Sequence, residues 1–270
     1  MKIKIFIAIL ILFLSFVYQE YPKWRNYNDD FVHVYFLDVG QGDAILIKDN
    51  RRRLFLIDGG PNRQIIFQLS NILPFWINRI DYVIASHPHA DHITGLFYVL
   101  QKYDVDCIVY YPSSNPISNV DKEFQSLISN LAISECENDE ISHWQFNLST
   151  KLGDENLNSV VAMYSYKDFD VLLTGDAEIE TQKKMLQYIE KDIEVIKVPH
   201  HGSFDSYYLP FLYNLRPELA VISVGENNRF NHPNQKTVDG YTNLGINILR
   251  TDLNETIHIR SDGNRWEVVK

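Results

Sequence analysis

The chain has 270 residues, 45% of them hydrophobic, and a formal net charge of −10. That apolar content suffices for one large core and gives no sign of a second globular domain. The acid excess argues against a basic body that grips nucleic acid non-specifically, and it deepens beyond the N-terminal end, where Lys2, Lys4 and Lys23 all lie. Two cysteines, Cys107 and Cys136, without C-x-x-C spacing, exclude a cysteine-based metal site.

Residues 1–23 read as a signal sequence or membrane anchor, and 24–270 as one globular domain. Lys2 and Lys4 precede an almost wholly apolar run from Ile5 to Tyr18. The run is shorter than the roughly 20 residues of a comfortable span. No small-x-small cleavage site follows, so an uncleaved anchor is expected, its lysines cytoplasmic and its domain outside. Strand-like runs follow at 31–38, 44–48 and 54–58. Between the last two, Asp49-Asn50 and the basic Arg51-Arg52-Arg53 make a hairpin turn, read as solvated, with phosphate contact as the alternative.

The strand Tyr82-Val83-Ile84-Ala85 opens onto His87-Pro88-His89-Ala90-Asp91-His92, and a helix near 93–101 continues from it. His87 and His89, two apart in extended chain, point to one side and can grip one metal. Asp91 and His92 follow as the chain bends into the helix, toward a second metal. Cys107 lies in the apolar run Cys107-Ile108-Val109-Tyr110 and is expected to be a small buried residue rather than half of a bridge. Residues 112–120 suggest a rim loop, and 121–133 a helix. Strands are expected at 159–165 and 169–174, the latter ending at Gly175-Asp176; a carboxylate there suits the bridging of two cations roughly 3.5–4 Å apart. Helices near 178–189 and 205–215 flank the strand Val195–Val198, which delivers His200-His201-Gly202-Ser203. The strand 219–224 leads to the loop Asn231-His232-Pro233, and strands near 246–250, 255–261 and 265–269 close the chain. His33, His143 and His258 match no motif and are expected to be structural. Imidazole with carboxylate suits zinc, with manganese, iron or nickel also compatible.

The H-x-H-x-D-H motif with a later Asp and His resembles the metallo-β-lactamase superfamily. Phe36-Leu37-Asp38-Val39-Gly40-Gln41-Gly42-Asp43-Ala44, Leu56-Ile57-Asp58-Gly59-Gly60, Asn158-Ser159-Val160-Val161, Leu173-Thr174-Gly175-Asp176 and Val198-Pro199-His200-His201-Gly202-Ser203 are similar to the hydrolase domain of ComEC-type DNA-uptake proteins. The resemblance implies an α/β fold, an αββα sandwich of two mixed sheets between helices, and two divalent metal ions, zinc first and manganese second. It implies that His87 and His89 hold one metal, that Asp91, His92 and one of His200 and His201 hold the other, and that Asp176 bridges. His200, coming directly off the strand, is favoured as the ligand, leaving His201 to contact substrate or protonate the leaving oxygen; the order within the pair stays open. A further histidine that many members carry has no counterpart, since Asn158-Ser159 stands in its place and His143 does not fit. The first metal is thus short of a ligand, and occupancy by one ion is an alternative. Asp58, Ser159 and Asp43 are expected behind the ligands, where an imidazole's second N–H needs an acceptor. Asp38 and Asp43 flank the Gly-Gln-Gly turn, where Asp commonly bonds its own backbone.

Bound cations bring the pKa of water from 15.7 to roughly 7, so a metal-bound hydroxide replaces a Ser or Cys nucleophile. The cations, with His201 or His232, would neutralise charge developing on a phosphoryl oxygen. The expected function is an exported metal-dependent hydrolase, a phosphodiesterase or nuclease, acting on a phosphate ester such as DNA. The polytopic channel of the DNA-uptake proteins is expected to be absent. The alternatives are removal of phosphorylcholine from a cell-wall polymer, with Tyr207-Tyr208 as the aromatic cage, and a non-catalytic metal-binding module.

Overall fold

The computed structural model describes residues 2–110, 116–131, 133–136, 144–147, 159–189 and 191–269. Residues 112–115 of the expected rim loop, His143 and Asn158 lie outside the described residues. Helix α1 (Lys2–Asn28) continues past residue 23, and its apolar side chains are exposed. The first half of the domain runs β1 (Val32–Phe36), β2 (Ile45–Lys48), β3 (Leu54–Ile57), α2 (Gln64–Ile72), β4 (Arg79–Ile84), α3 (Ala90–Lys102), β5 (Asp104–Val109), α4 (Asn119–Leu131) and β6 (Ser134–Glu135). The second runs β7 (Trp144–Asn147), β8 (Val161–Tyr166), β9 (Phe169–Leu173), α5 (Ile179–Met185), β10 (Val195–Lys197), α6 (Leu209–Leu215), β11 (Leu219–Ile222), α7 (Gln235–Asn243), β12 (Asn247–Arg250), α8 (Thr251–Asn254), β13 (Ile257–Ser261) and β14 (Trp266–Val269).

Two mixed sheets result, ordered β14-β13-β1-β2-β3-β4-β5-β6 and β12-β11-β10-β9-β8-β7. The two-residue period of a strand decides the layers. Val32, Val34 and Phe36 of β1 face the second sheet, where they meet Val160, Ala162 and Tyr164, while Tyr35 and Leu37 face the helices α2 and α3. Strands apolar on both faces belong between helix layers, and a third cluster packs the second sheet against α5, α6 and α7. The chain is therefore the expected αββα sandwich. Sequence periodicity did not reveal α2 or α7, whose exposed positions dilute a short apolar stripe.

Cys107 is a correction: it is bonded to Cys136, with the two Cα atoms 5.1 Å apart. The parallel pairing of β5 with β6, Cys107 opposite Ser134, brings Cys136 within reach. No local pattern could show that pairing.

Candidate metal centre

Parallel β3 and β4 end side by side, Ile57 opposite Ile84, and deliver Asp58 and the Ser86-His87 turn to one edge of the sandwich. Asp58 takes a left-handed backbone (φ 58°). Its carboxylate accepts the Ser86 N–H at 2.7 Å, the Ser86 hydroxyl at 2.6 Å and the His92 Nδ1–H at 2.8 Å. His89 is the N-cap residue of α3, so Asp91 and His92 occupy the first turn. Gly42 is required here, because a Cβ on it would lie 2.1 Å from the Asp91 carbonyl oxygen.

The second sheet supplies the rest. Asp176 follows β9, and its N–H donates to the Ser159 hydroxyl at 3.3 Å. After β10 the chain takes three successive left-handed residues, His200 (φ 47°), His201 (φ 52°) and Gly202 (φ 81°). For the two histidines this conformation costs roughly 1–2 kcal/mol each, strain of the kind found where a site dictates side-chain direction. His201 turns inward and is buried, whereas His200 stays partly exposed.

Asp176 stands at the middle. Its Oδ2 lies 3.6 Å from His87 Nε2 and 3.7 Å from His200 Nε2. Its Oδ1 lies 3.4 Å from His92 Nε2 and 3.6 Å from His201 Nε2, and His201 Nε2 is also 3.6 Å from Asp91 Oδ2. Three tight groups follow among the described residues: His87 with His92 and Asp176, Asp91 with His92 and His201, and Asp43 with Asp58 and His92. It is thus His201, not His200, that stands with Asp91 and His92. The His89 ring, 4.6 Å from that of His87, lies just outside these groups. The His232 ring is 5.7 Å from that of His200 and stacks on Phe230, and Asn228 holds the backbone of its loop, donating to the His232 carbonyl oxygen at 2.7 Å.

The donor atoms have the form a cation needs. Each buried imidazole has its Nδ1 engaged: His92 on Asp58, His201 on the Ser223 carbonyl at 2.8 Å, His87 beside the Ser86 hydroxyl at 3.0 Å. Each leaves Nε2 buried and unbonded, and Asp176 Oδ1 is likewise without a hydrogen bond. Buried polar atoms rarely go unpaired, and an imidazole fixed through one nitrogen with the other free is the metal-ligand arrangement. The residues present fit divalent cations.

The electrostatics agree. Burial raises the Asp176 carboxyl, but His92 and His201 outweigh it and hold the group well below the usual carboxylate range. Burial likewise opposes protonation of His92 and of His201, yet Asp176 lifts both above the ordinary imidazole value, assisted at His92 by Asp58. Burial keeps His87, His200 and His232 below theirs.

Lys197 escaped the sequence reading. Its wholly buried ammonium lies 2.6 Å from Asp43 Oδ2 and 3.7 Å from Asp176 Oδ1, and donates to the Gly175 carbonyl at 2.8 Å. The signal was available, since lysine inside the apolar run Val195-Ile196-Lys197-Val198 is almost never buried without a partner. Asp43 thus belongs to the centre. Asp38 instead serves its turn, accepting the Gly40 N–H at 3.3 Å. Arg51, Arg52 and Arg53 cap the β2–β3 hairpin at the opposite end of the strands, organised by Asp49.

The Metallo-beta-lactamase superfamily matches residues 37–226, and the chain belongs to it. It is thereby a metal-dependent hydrolase by family. The ComE operon protein 3 of Bacillus subtilis (strain 168) is 30% identical over 94% of this chain and 35% of its own length. Competence protein ComA of Neisseria gonorrhoeae is 25% identical over 91% and 34%. The chain therefore spans about a third of the length of these relatives. Among solved structures, a CmlA beta-hydroxylase mutant superposes with a TM-score of 0.53 at 13% identity, covering 90% of this chain and 54% of that one, a likeness of fold.

Proposed function

We propose that the chain is a phosphodiesterase of the nuclease type, acting outside the cytoplasm with α1 in the membrane. The observation that carries the metal-dependent part is the convergence of four buried, unbonded donor atoms, Nε2 of His87, His92 and His201 and Oδ1 of Asp176. His87, His89 and one oxygen of Asp176 would hold the first ion; Asp91, His92, His201 and the other oxygen would hold the second. The roles first expected for His200 and His201 are thereby exchanged. Zinc is the ion we favour, because four imidazoles with carboxylates suit it. Bound there, divalent cations supply Lewis acidity and a water that ionises near neutral pH.

His200 stands at the open side of Asp176 Oδ2 with the His232 ring 5.7 Å from its own, where their N–H groups can donate hydrogen bonds to a non-bridging phosphate oxygen. Asp58 and Ser86 hold His92 against rotation, and Lys197 and Asp43 fix the floor beneath Asp176. Ser159 in place of a further histidine leaves room for a charged phosphate oxygen. The name of one relative, Competence protein ComA, favours DNA as the diester. The disulfide suits an oxidising compartment, and the one described helix apolar enough to cross a membrane is α1. The phosphorylcholine alternative gains no support from its proposed cage, since Tyr207 packs beside Tyr241 and a resident cation, the Lys183 ammonium, already lies 5.9 Å from the Tyr208 ring.

The test is hydrolysis of bis-p-nitrophenyl phosphate, single-stranded DNA and p-nitrophenyl phosphorylcholine by the zinc- or manganese-loaded chain. Cleavage of the first two is expected, with Asp176→Ala lowering the rate by about 10²–10³-fold or more while the circular dichroism spectrum is retained. Full activity in Asp176→Ala, or cleavage of the choline ester alone, would overturn the proposal.

A further inference from the structure

The apolar part of α1 is short for a membrane and is not alone at its end of the domain. From Ile3 to Tyr18 a helix rises about 24 Å, against a hydrocarbon core of roughly 30 Å. Phe16, inside this stretch, meets the Phe75 ring at 5.3 Å. Phe75 and Trp76 stand on the loop between α2 and β4 and are 67% and 45% exposed; Phe67, on α2, is 58% exposed. Exposed aromatic rings clustered in this way mark an interaction surface rather than ordinary solvent-facing residues. The loop and the last turn of α2 before it are tied to α1 by polar contacts as well. The Phe75 N–H donates to the Glu20 carboxylate at 3.1 Å, and Lys23 Nζ donates to the Ser70 carbonyl at 2.9 Å. Tyr21 and Trp24 stack just beyond, with ring centroids 5.9 Å apart.

We propose that the Phe75–Trp76 loop seats the domain in the interfacial layer of the bilayer beside α1, forming one aromatic belt with Tyr21 and Trp24. The proposal rests on the placement of α1 in the membrane. Given that placement, the Phe16–Phe75 contact fixes the depth of the loop, because the ring cannot touch an acyl-embedded side chain from bulk water. Aromatic residues prefer this headgroup level, and the loop adds apolar surface beside the short, most apolar stretch of α1. The loop feeds the N-terminal end of β4, whereas the metal centre lies beyond its C-terminal end. Six residues of strand separate the two ends by about 20 Å. The centre therefore stands clear of the bilayer and takes a substrate arriving through water, such as a polymer strand, rather than a lipid headgroup.

Nitroxide labels on the full chain, reconstituted in vesicles of phosphatidylcholine with phosphatidylglycerol, test this directly. Leu12→Cys reports α1, Phe75→Cys the loop and Phe230→Cys the rim of the centre, with the native disulfide kept oxidised. Relaxation by oxygen against a water-soluble nickel chelate reads depth. Oxygen should exceed nickel several-fold at positions 12 and 75, and the reverse should hold at 230. A water-exposed label at 75 with a buried label at 12 would overturn the seating and leave the membrane placement of α1 intact. A water-exposed label at 12 would overturn that placement and the seating with it, and a buried label at 230 would refute the stand-off of the centre.

Discussion

Replacing Lys197 by methionine removes an ammonium that lies between Asp43 and Asp176, and nearly preserves side-chain volume. Lys197 and Asp43 are paired at 2.6 Å, with side chains 0% and 1% exposed. Removing one member of such a pair leaves a buried charge uncompensated, at a cost of about 3–5 kcal/mol. For a domain of this size that lowers Tm on the order of 10 °C. Thermal unfolding of the full chain in mild detergent with a chelator, followed by circular dichroism, reads the effect. The double variant Lys197→Met with Asp43→Asn should recover most of the loss, because both charges then leave together. Excess zinc should narrow the gap for Lys197→Met alone, since a cation near Asp176 replaces part of the missing charge. A chelated Lys197→Met variant within about 1 kcal/mol of its parent, inside the range of ordinary substitutions, would refute the role given to this pair.

Asp58→Asn keeps the shape of the side chain but loses the carboxylate that accepts the His92 Nδ1–H. Zinc affinity by competition with a chromophoric chelator should fall about 10–100-fold with the fold unchanged, and unaltered affinity would remove Asp58 from the centre. A separate acid sensitivity is expected at the far end of the first sheet, where His33 Nδ1 lies 2.8 Å from His258 Nε2 and His33 Nε2 lies 2.9 Å from Asp29. Burial pushes His33 down to about 4 and, with His33 beside it, His258 to about 3. The unfolded chain takes up these protons near pH 6.5 and the folded chain does not, so stability is full above pH 6.5 and declines as pH falls toward 4, by about 3 kcal/mol for one such group. His258→Phe retains an aromatic ring where His258 stacks on Tyr35 at 4.1 Å but cannot titrate. Its unfolding free energy should fall less steeply than the parent's from pH 6.5 to 4, and parallel curves would count against the assignment.

The residues that can do chemistry announced themselves locally. His87, His89, Asp91 and His92 fall within six positions after a β-branched strand, and Asp176 and His200-His201 each follow another apolar run, so type and spacing already implied a cation site at strand ends. The two sheets between helices were implied by the family resemblance, and strand runs apolar on both faces fit that burial between layers. Division of labour within the centre was not legible, because it depends on contacts between distant segments. That His201 rather than His200 stands with Asp91 and His92 follows from two successive left-handed residues, a backbone state that sequence does not display for histidine. The fates of Asp38 and Asp43, one serving its own turn and the other paired with Lys197, were set by which side of the Gly-Gln-Gly turn faces β10. The Cys107–Cys136 bond required the β5–β6 pairing, and the Phe75–Trp76 patch acquired meaning only from its contact with α1. Composition and period are local properties that the sequence carries by itself; partners chosen across the two sheets, and the burial they create, exist only once the chain has closed on itself.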